Sequence, residues 1–316
     1  YKPVLFTVGA LLLIEIIFGM FFTEQFGQVM SQMISLVGDN FGWWINLLCV
    51  IGIFIGIAIV ISKYGDVVIG GKDAKPDFTT WQWFSMSICG GIGCGLLFWA
   101  MGEPIYHFME PPVAAGVEAG TREAAIFAVS QAMFDWSFVQ YFIYTLPSLA
   151  FALLAFNFKK SLSFQSLVDV TFKRKMRWLT TLLHICCAWA VAAGVSNSMG
   201  AGLMQISGGI NAVFGVPQGP AMYLFITVFV AVFFILSCLT GIHKGLSYVS
   251  TSCMICFFAL LVYVIVFGYA QFIGKIGTES FGEILDNFFS KITYNNTLAP
   301  ADQWANKWSI TYWNSF

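Results

Sequence analysis

The chain has 316 residues, 58% of them hydrophobic and only 10% charged, and its mean hydropathy is +0.78. Soluble domains carry about a quarter charged residues, so there is too little polar side chain to cover a water-facing surface. A soluble enzyme is excluded in favour of a polytopic membrane protein, and a net charge of −1 offers no bulk basic field for nucleic acid.

A spanning helix needs about 20 mainly apolar residues. Apolar runs predict spans over 4–23, 43–62, 82–102, 124–156, 179–213, 220–240 and 248–273, and an eighth opens near Trp308. The first run follows Lys2 and passes signal-peptide length without a small-residue cleavage site, so it reads as a span. The runs 124–156 and 179–213 exceed the bilayer requirement and read as tilted, extended or partly buried in protein. After the seventh span, 279–292 carries Phe281, Ile284, Leu285, Phe288 and Phe289 at helical spacing, the pattern of an amphipathic interfacial helix.

The basic residues divide unevenly between the two sides of these spans. Lys2, Lys63, Lys72, Lys75, Lys244 and all those of 159–177 fall on one side, against Arg122, Lys275, Lys291 and Lys307 on the other. The richer side marks the cytoplasm, so the N-terminus is expected inside and the acidic loop 103–123 outside. His107 reads as a residue of that loop or its rim, and His184 as a packing histidine. All eight cysteines lie in apolar stretches, which favours small buried side chains over disulfides.

The third span contains Cys89-Gly90-Gly91-Ile92-Gly93-Cys94-Gly95. Each mid-helix glycine costs about 1 kcal/mol relative to alanine. In lipid, unwound backbone is tolerated only where it lines a cavity or packs against protein. The stretch therefore reads either as a functional break, the device by which many transporters hold substrate and ions, or as a surface for close helix packing. The fourth span carries Trp136, Tyr141 and Tyr144. At about 100° per residue on one continuous helix, Tyr141 falls about 140° and Tyr144 about 80° around from Trp136, so all three share half of the helix. A quaternary ammonium has no N–H to donate and is recognised by aromatic faces, at roughly 0.5–2 kcal/mol per contact. The same spacing also suits plain core packing.

Several of these segments carry a resemblance. Gly90 to Trp99 followed by Gly102-Glu103-Pro104-Ile105, the run Ala132 to Trp136 with Tyr141 and Tyr144, Lys244-Gly245, and Trp308 to Trp313 together resemble the betaine/carnitine/choline transporter family, in order along the chain. The resemblance implies an all-α, LeuT-like fold of two inverted five-helix repeats, a homotrimer, and movement of trimethylammonium compounds across a bacterial cell (inner) membrane. It divides the chain into two peripheral helices (1–80), a first repeat with an unwound third helix (81–273), an interfacial helix (274–303) and the start of the second repeat (304–316). Only the first repeat is then complete, and such a piece alone is not expected to transport.

By the same resemblance, Trp136, Tyr141, Tyr144 and Phe316 form an aromatic box, with Trp313, Asp135 and the backbone of Gly91, Ile92, Gly93, Cys94 and Gly95 around the substrate. The carbonyls of Cys89 and Ile92, with side-chain oxygens of Asn197 and Ser198, are implied as sodium ligands. Interhelical hydrogen bonding is the other reading of Asn197 and Ser198. The family more often has Trp where Tyr141 stands and His where Asp135 stands, and Ser315 loses an aromatic. A carboxylate in a span is a functional candidate by default. Asp135 either attracts a cationic substrate, carries a proton, pairs with a neighbouring donor, or sits at the external interface.

Sodium-independent exchangers of the family carry an arginine in the seventh span, and Ser250 to Met254 contains no basic residue. Family members that take choline can carry Asp where Gly95 stands. The expectation is sodium symport of glycine betaine, with proton-coupled or exchange transport of choline or carnitine as the alternative and a channel more remote. Sodium is the one ion implied, no cofactor is, and the lipid bilayer is the expected setting. No charged ring or repeated pore loop supports a channel, and no metal-site or nucleophile motif supports an enzyme.

Overall fold

The computed structural model describes residues 2–91, 93–112, 115–172 and 176–295. Helix α1 (Lys2–Phe21) is followed by α2 (Thr23–Ile61), α3 (Thr80–Gly91), α4 (Gly93–Met109), α5 (Arg122–Asp135) and α6 (Phe138–Ala152). Then come α7 (Phe164–Phe172), α8 (Arg177–Phe214), α9 (Pro220–Thr240), α10 (Ser247–Phe267) and α11 (Ala270–Ile292). No strand occurs among the described residues. Among the described residues, five helical stretches are long and apolar enough to cross a membrane: α1, α2, α8, α9 and Ile242–Phe267. The protein is thus an all-helical polytopic membrane chain.

The predicted spans hold best where the chain punctuates itself. Pro220 opens α9 at a position whose N–H needs no partner. The helix closes at Gly241, whose φ of 79° lies in the left-handed region glycine adopts without strain. Elsewhere the helices differ from expectation. The predicted connector between the first two spans is helical, because α2 runs 39 residues without a break. Its polar positions lower hydropathy but none stops a helix.

The glycine-rich stretch lies where α3 ends and α4 begins. Cys89, Gly90 and Gly91 close α3 in helical backbone, and Gly93, Cys94 and Gly95 open α4 the same way. Ile92 lies outside the described residues, so helix reaches both sides of the expected unwinding. The loop predicted from residue 103 is helical as far as Met109.

A discontinuity also falls in the fourth span, which is not one helix. α5 begins at an N-cap, where Thr121 Oγ1 accepts from the Ala124 N–H at 3.2 Å. It ends because the Phe134 carbonyl accepts both the Ser137 N–H at 3.2 Å and the Ser137 hydroxyl at 2.8 Å. A serine that claims a carbonyl in this way competes with helix continuation. Ser137 is extended, and α6 starts after it.

The chain divides into two compact units, one of residues 1–74, 104–193 and 278–316, the other of 75–103 and 194–277. In the first, Cys49 and Ile53 of α2, Phe134 of α5, Val139 and Ile284 and Ile292 of α11 form the buried apolar core. α6 packs on α2 where a Cβ at Gly52 would touch Leu146 at 3.4 Å and the Phe142 ring leaves no room for one at Gly56. This Gly-x-x-x-Gly pair is the small-residue spacing that lets helices approach in lipid. Glu15, inside α1, accepts from the Trp189 indole at 2.9 Å, which satisfies a carboxylate within an apolar helix.

In the second unit α3 packs along α10. The rings of Trp81 and Phe84 meet Phe258 at 5.9 and 6.4 Å, Phe78 stacks on His243 at 4.6 Å, and Cys89 Sγ donates to the Ser250 carbonyl at 3.6 Å.

Candidate functional site

The break between α5 and α6 brings the expected box residues to an end-to-end arrangement rather than one helical face. Asp135 is the last helical residue of α5, Trp136 caps it, and Tyr141 and Tyr144 lie on the next helix. The half-helix angles computed along one continuous span therefore do not apply. Trp136 is partly buried against the core cluster. Tyr141 is half-buried, and Tyr144 is 41% exposed. Trp313, Phe316 and Ile92 lie outside the described residues.

Of the residues implied as sodium ligands, Ile92 lies outside the described residues. The contact of Cys89 is to α10, and Asn197 and Ser198 are exposed on α8. The backbone of Gly91, Gly93, Cys94 and Gly95 is helical, but Cys89 and Gly91 lie in the last turn of α3, where carbonyls have no partner within the helix.

The structure adds a polar cluster that hydropathy did not reveal. α11 lies alongside α5, and residue numbers rise together on the two helices. Arg122 grips both carboxylate oxygens of Glu279 at 2.9 and 2.8 Å, and Ser280 donates to the Ile126 carbonyl at 3.2 Å. Further along, Ser130 donates to Glu283, and Lys291 pairs with the same carboxylate at 3.1 Å. Lys291 Nζ also donates to Gln131 Oε1 at 3.0 Å and stands 4.5 Å over the Phe127 ring. Gln131 Nε2 donates to Asp135 Oδ1 at 3.1 Å, so Asp135 does pair with a neighbouring donor.

Lys291 is 8% exposed. Burial pushes its ammonium below the usual lysine value, against the pull of Glu283 and Asp135. A cavity of about 210 Å³ opens beside the cluster, lined by Phe127, Gln131, Glu283, Asn287, Lys291 and Tyr294.

His107 is a second departure: it is fully buried on α4, not a loop or rim residue. A ring nitrogen of His107 and a carboxylate oxygen of Asp135 come within 4.8 Å, and Glu103, one turn earlier on α4, is also fully buried. An imidazole beside a carboxylate is equipped to hold a proton or a borderline metal, and less suited to sodium, which prefers all-oxygen donors. His184 meets Phe164 edge-on at 5.6 Å, a packing contact.

A model of the betaine/carnitine/choline transporter family matches residues 3–316. The chain is 31% identical to a probable glycine betaine transporter of Desulfitobacterium hafniense, over 99% of the chain and 62% of that protein. It is 28% identical to an ectoine/hydroxyectoine transporter of Virgibacillus pantothenticus over the same two shares. It is 23% identical to a high-affinity choline transport protein of Escherichia coli, over 99% of the chain and 46% of that protein. The chain therefore spans about three fifths of the length of the first two relatives.

Proposed function

The chain belongs to the betaine/carnitine/choline transporter family, and from that premise we propose that it serves secondary active transport of a trimethylammonium compound, glycine betaine first among them. The observation that carries this reading is the break at Trp136. It joins a discontinuous helix, an aromatic face and a fully buried carboxylate in three consecutive residues, Asp135 to Ser137. Broken helices at a transporter's binding site expose polar backbone where a charged ligand needs it, and an indole face supplies what a quaternary ammonium accepts. Tyr141 and Tyr144 follow on α6, with Phe316, Trp313 and the 91–95 backbone completing the proposed site.

Sodium symport, with ligands from the carbonyls of Cys89 and Ile92 and the side chains of Asn197 and Ser198, is the proposed coupling, within a LeuT-like pair of inverted repeats in a homotrimer. The proposed setting is a bacterial inner membrane with the N-terminus inside. A proton-coupled reading draws on one observation of its own, the buried His107 beside Asp135. A competition panel tests the substrate assignment: glycine betaine, carnitine, choline and their dimethyl analogues against radiolabelled betaine bound to the intact protein. Betaine is expected to compete best and each dimethyl analogue worse than its parent. Equal competition by all six compounds contradicts recognition through the trimethylammonium head.

A further inference from the structure

We infer that Lys291 is a positioning residue for the substrate site: from α11 it orients Gln131 and Asp135, and so sets the end of α5 at which Trp136 stands. The inference rests on the reading of Trp136 as the cation-binding aromatic.

The relay is short and has a direction. Lys291 Nζ meets Gln131 Oε1 at 3.0 Å, and Gln131 Nε2 meets Asp135 Oδ1 at 3.1 Å. An ammonium only donates and an ionised carboxylate only accepts. The Gln131 amide therefore has one orientation that serves both neighbours, oxygen toward the lysine and nitrogen toward the aspartate. Turning it over loses both bonds. The lysine is fixed in its turn by Glu283 at 3.1 Å and by the Phe127 ring at 4.5 Å. Cation, amide and carboxylate thus form one polar line that ends a single residue before Trp136.

Simple packing does not require a lysine here. Taking an ammonium out of water costs several kcal/mol before its partners offset it, and an apolar side chain of similar volume often serves stability as well or better. What an apolar residue lacks is direction, because it leaves the Gln131 amide with no reason to face one way. The titratable groups around Lys291 are Glu283 on its own helix, Asp135 on α5 and Tyr294 in the cavity wall, with His107 of α4 beside Asp135. Because burial lowers the Lys291 pKa, its charge is lost at a lower pH than that of an exposed lysine. An arginine at the position keeps its charge throughout.

The test measures glycine betaine binding to the intact protein in nanodiscs from about pH 7 to pH 10, around the usual lysine range, for wild type, Lys291→Met and Lys291→Arg. Lys291→Met is expected to weaken binding about tenfold, the scale of one cation–π contact. Wild-type affinity is expected to fall toward the alkaline end, while Lys291→Arg holds a flat profile. A Met133→Cys reporter, at a 39% exposed position on the last turn of α5 and in a background whose native cysteines are replaced by alanine, supplies a readout that needs no substrate. Its labelling by a water-soluble maleimide is expected to speed up in Lys291→Met and to match wild type in Lys291→Arg.

An arginine variant that keeps the wild-type alkaline fall overturns the inference, as does a reporter rate that Lys291→Met leaves unchanged. Were wild type to bind no betaine, the aromatic-box reading fails, and the reporter rates alone decide whether Lys291 sets the break.

Discussion

Gln131 donates its side-chain N–H to Asp135 one turn further along α5, at 3.1 Å, while its oxygen takes the ammonium of Lys291. One neutral amide thereby separates a buried anion from a buried cation. Gln131→Leu removes both bonds while Lys291 keeps Glu283, which is expected to cost about 1.5–3 kcal/mol, the range for a hydrogen bond to a charged group. Thermal unfolding in detergent checks this against Gln131→Glu, which keeps an acceptor for Lys291 and turns a repelling carboxylate on Asp135.

The exposed pair at the other end of α11 predicts the opposite. Arg122 and Glu279 are 68% and 46% exposed as side chains, and a single guanidinium nitrogen, Nη2, makes both contacts. Exposed pairs contribute about 0–1 kcal/mol and are screened by salt. Arg122→Ala is therefore expected to shift the unfolding midpoint only slightly at low salt and not at all in concentrated salt. A loss as large as that of Gln131→Leu contradicts this assignment.

The contact between α2 and α6 is steric. A Cβ at Gly56 runs into the Phe142 ring, whereas nothing lies within 4 Å of one at Gly9. Gly56→Ala is expected to destabilise by about 1–3 kcal/mol, the cost of overpacking, and Gly9→Ala to be neutral or slightly stabilising. Pairing Gly56→Ala with Phe142→Ala is expected to recover part of the loss. Full additivity of the two changes would mean the residues do not touch.

For substrate, Trp136→Ala is expected to weaken a trimethylammonium ligand at least about tenfold, while Trp136→Phe keeps a π face and loses less. Isothermal titration of both variants with glycine betaine checks this. Unchanged affinity in Trp136→Ala returns the indole to a packing role against the buried core cluster.

How much of this was legible in the sequence follows from what each signal measures. The bounds of α9 could be read because Pro220 and Gly241 act on the backbone itself. The helical character of 24–42 could not, since hydropathy registers Glu24, Gln25 and Gln28 as a gap although all three are helix-tolerant. Glycine content alone does not decide the backbone either. Glycine's helix penalty is partly exposure of backbone to water, a term that lipid and protein surroundings remove, and Gly90 and Gly91 stay helical. The break after Asp135 has no glycine or proline to announce it, only a serine hydroxyl that claims a carbonyl. Lys291 counted toward topology alone, because its partners on α5 lie some 160 residues away in sequence, beyond the reach of any periodicity.

Coupling is the central claim, and one measurement reaches it most directly. The intact protein is reconstituted in liposomes and offered radiolabelled glycine betaine under an inward sodium gradient, at fixed pH and membrane potential. Accumulation that collapses when potassium replaces sodium is the predicted result. Equal accumulation in potassium contradicts symport, and accumulation driven by an inward proton gradient in sodium-free buffer would move the coupling to His107 and Asp135.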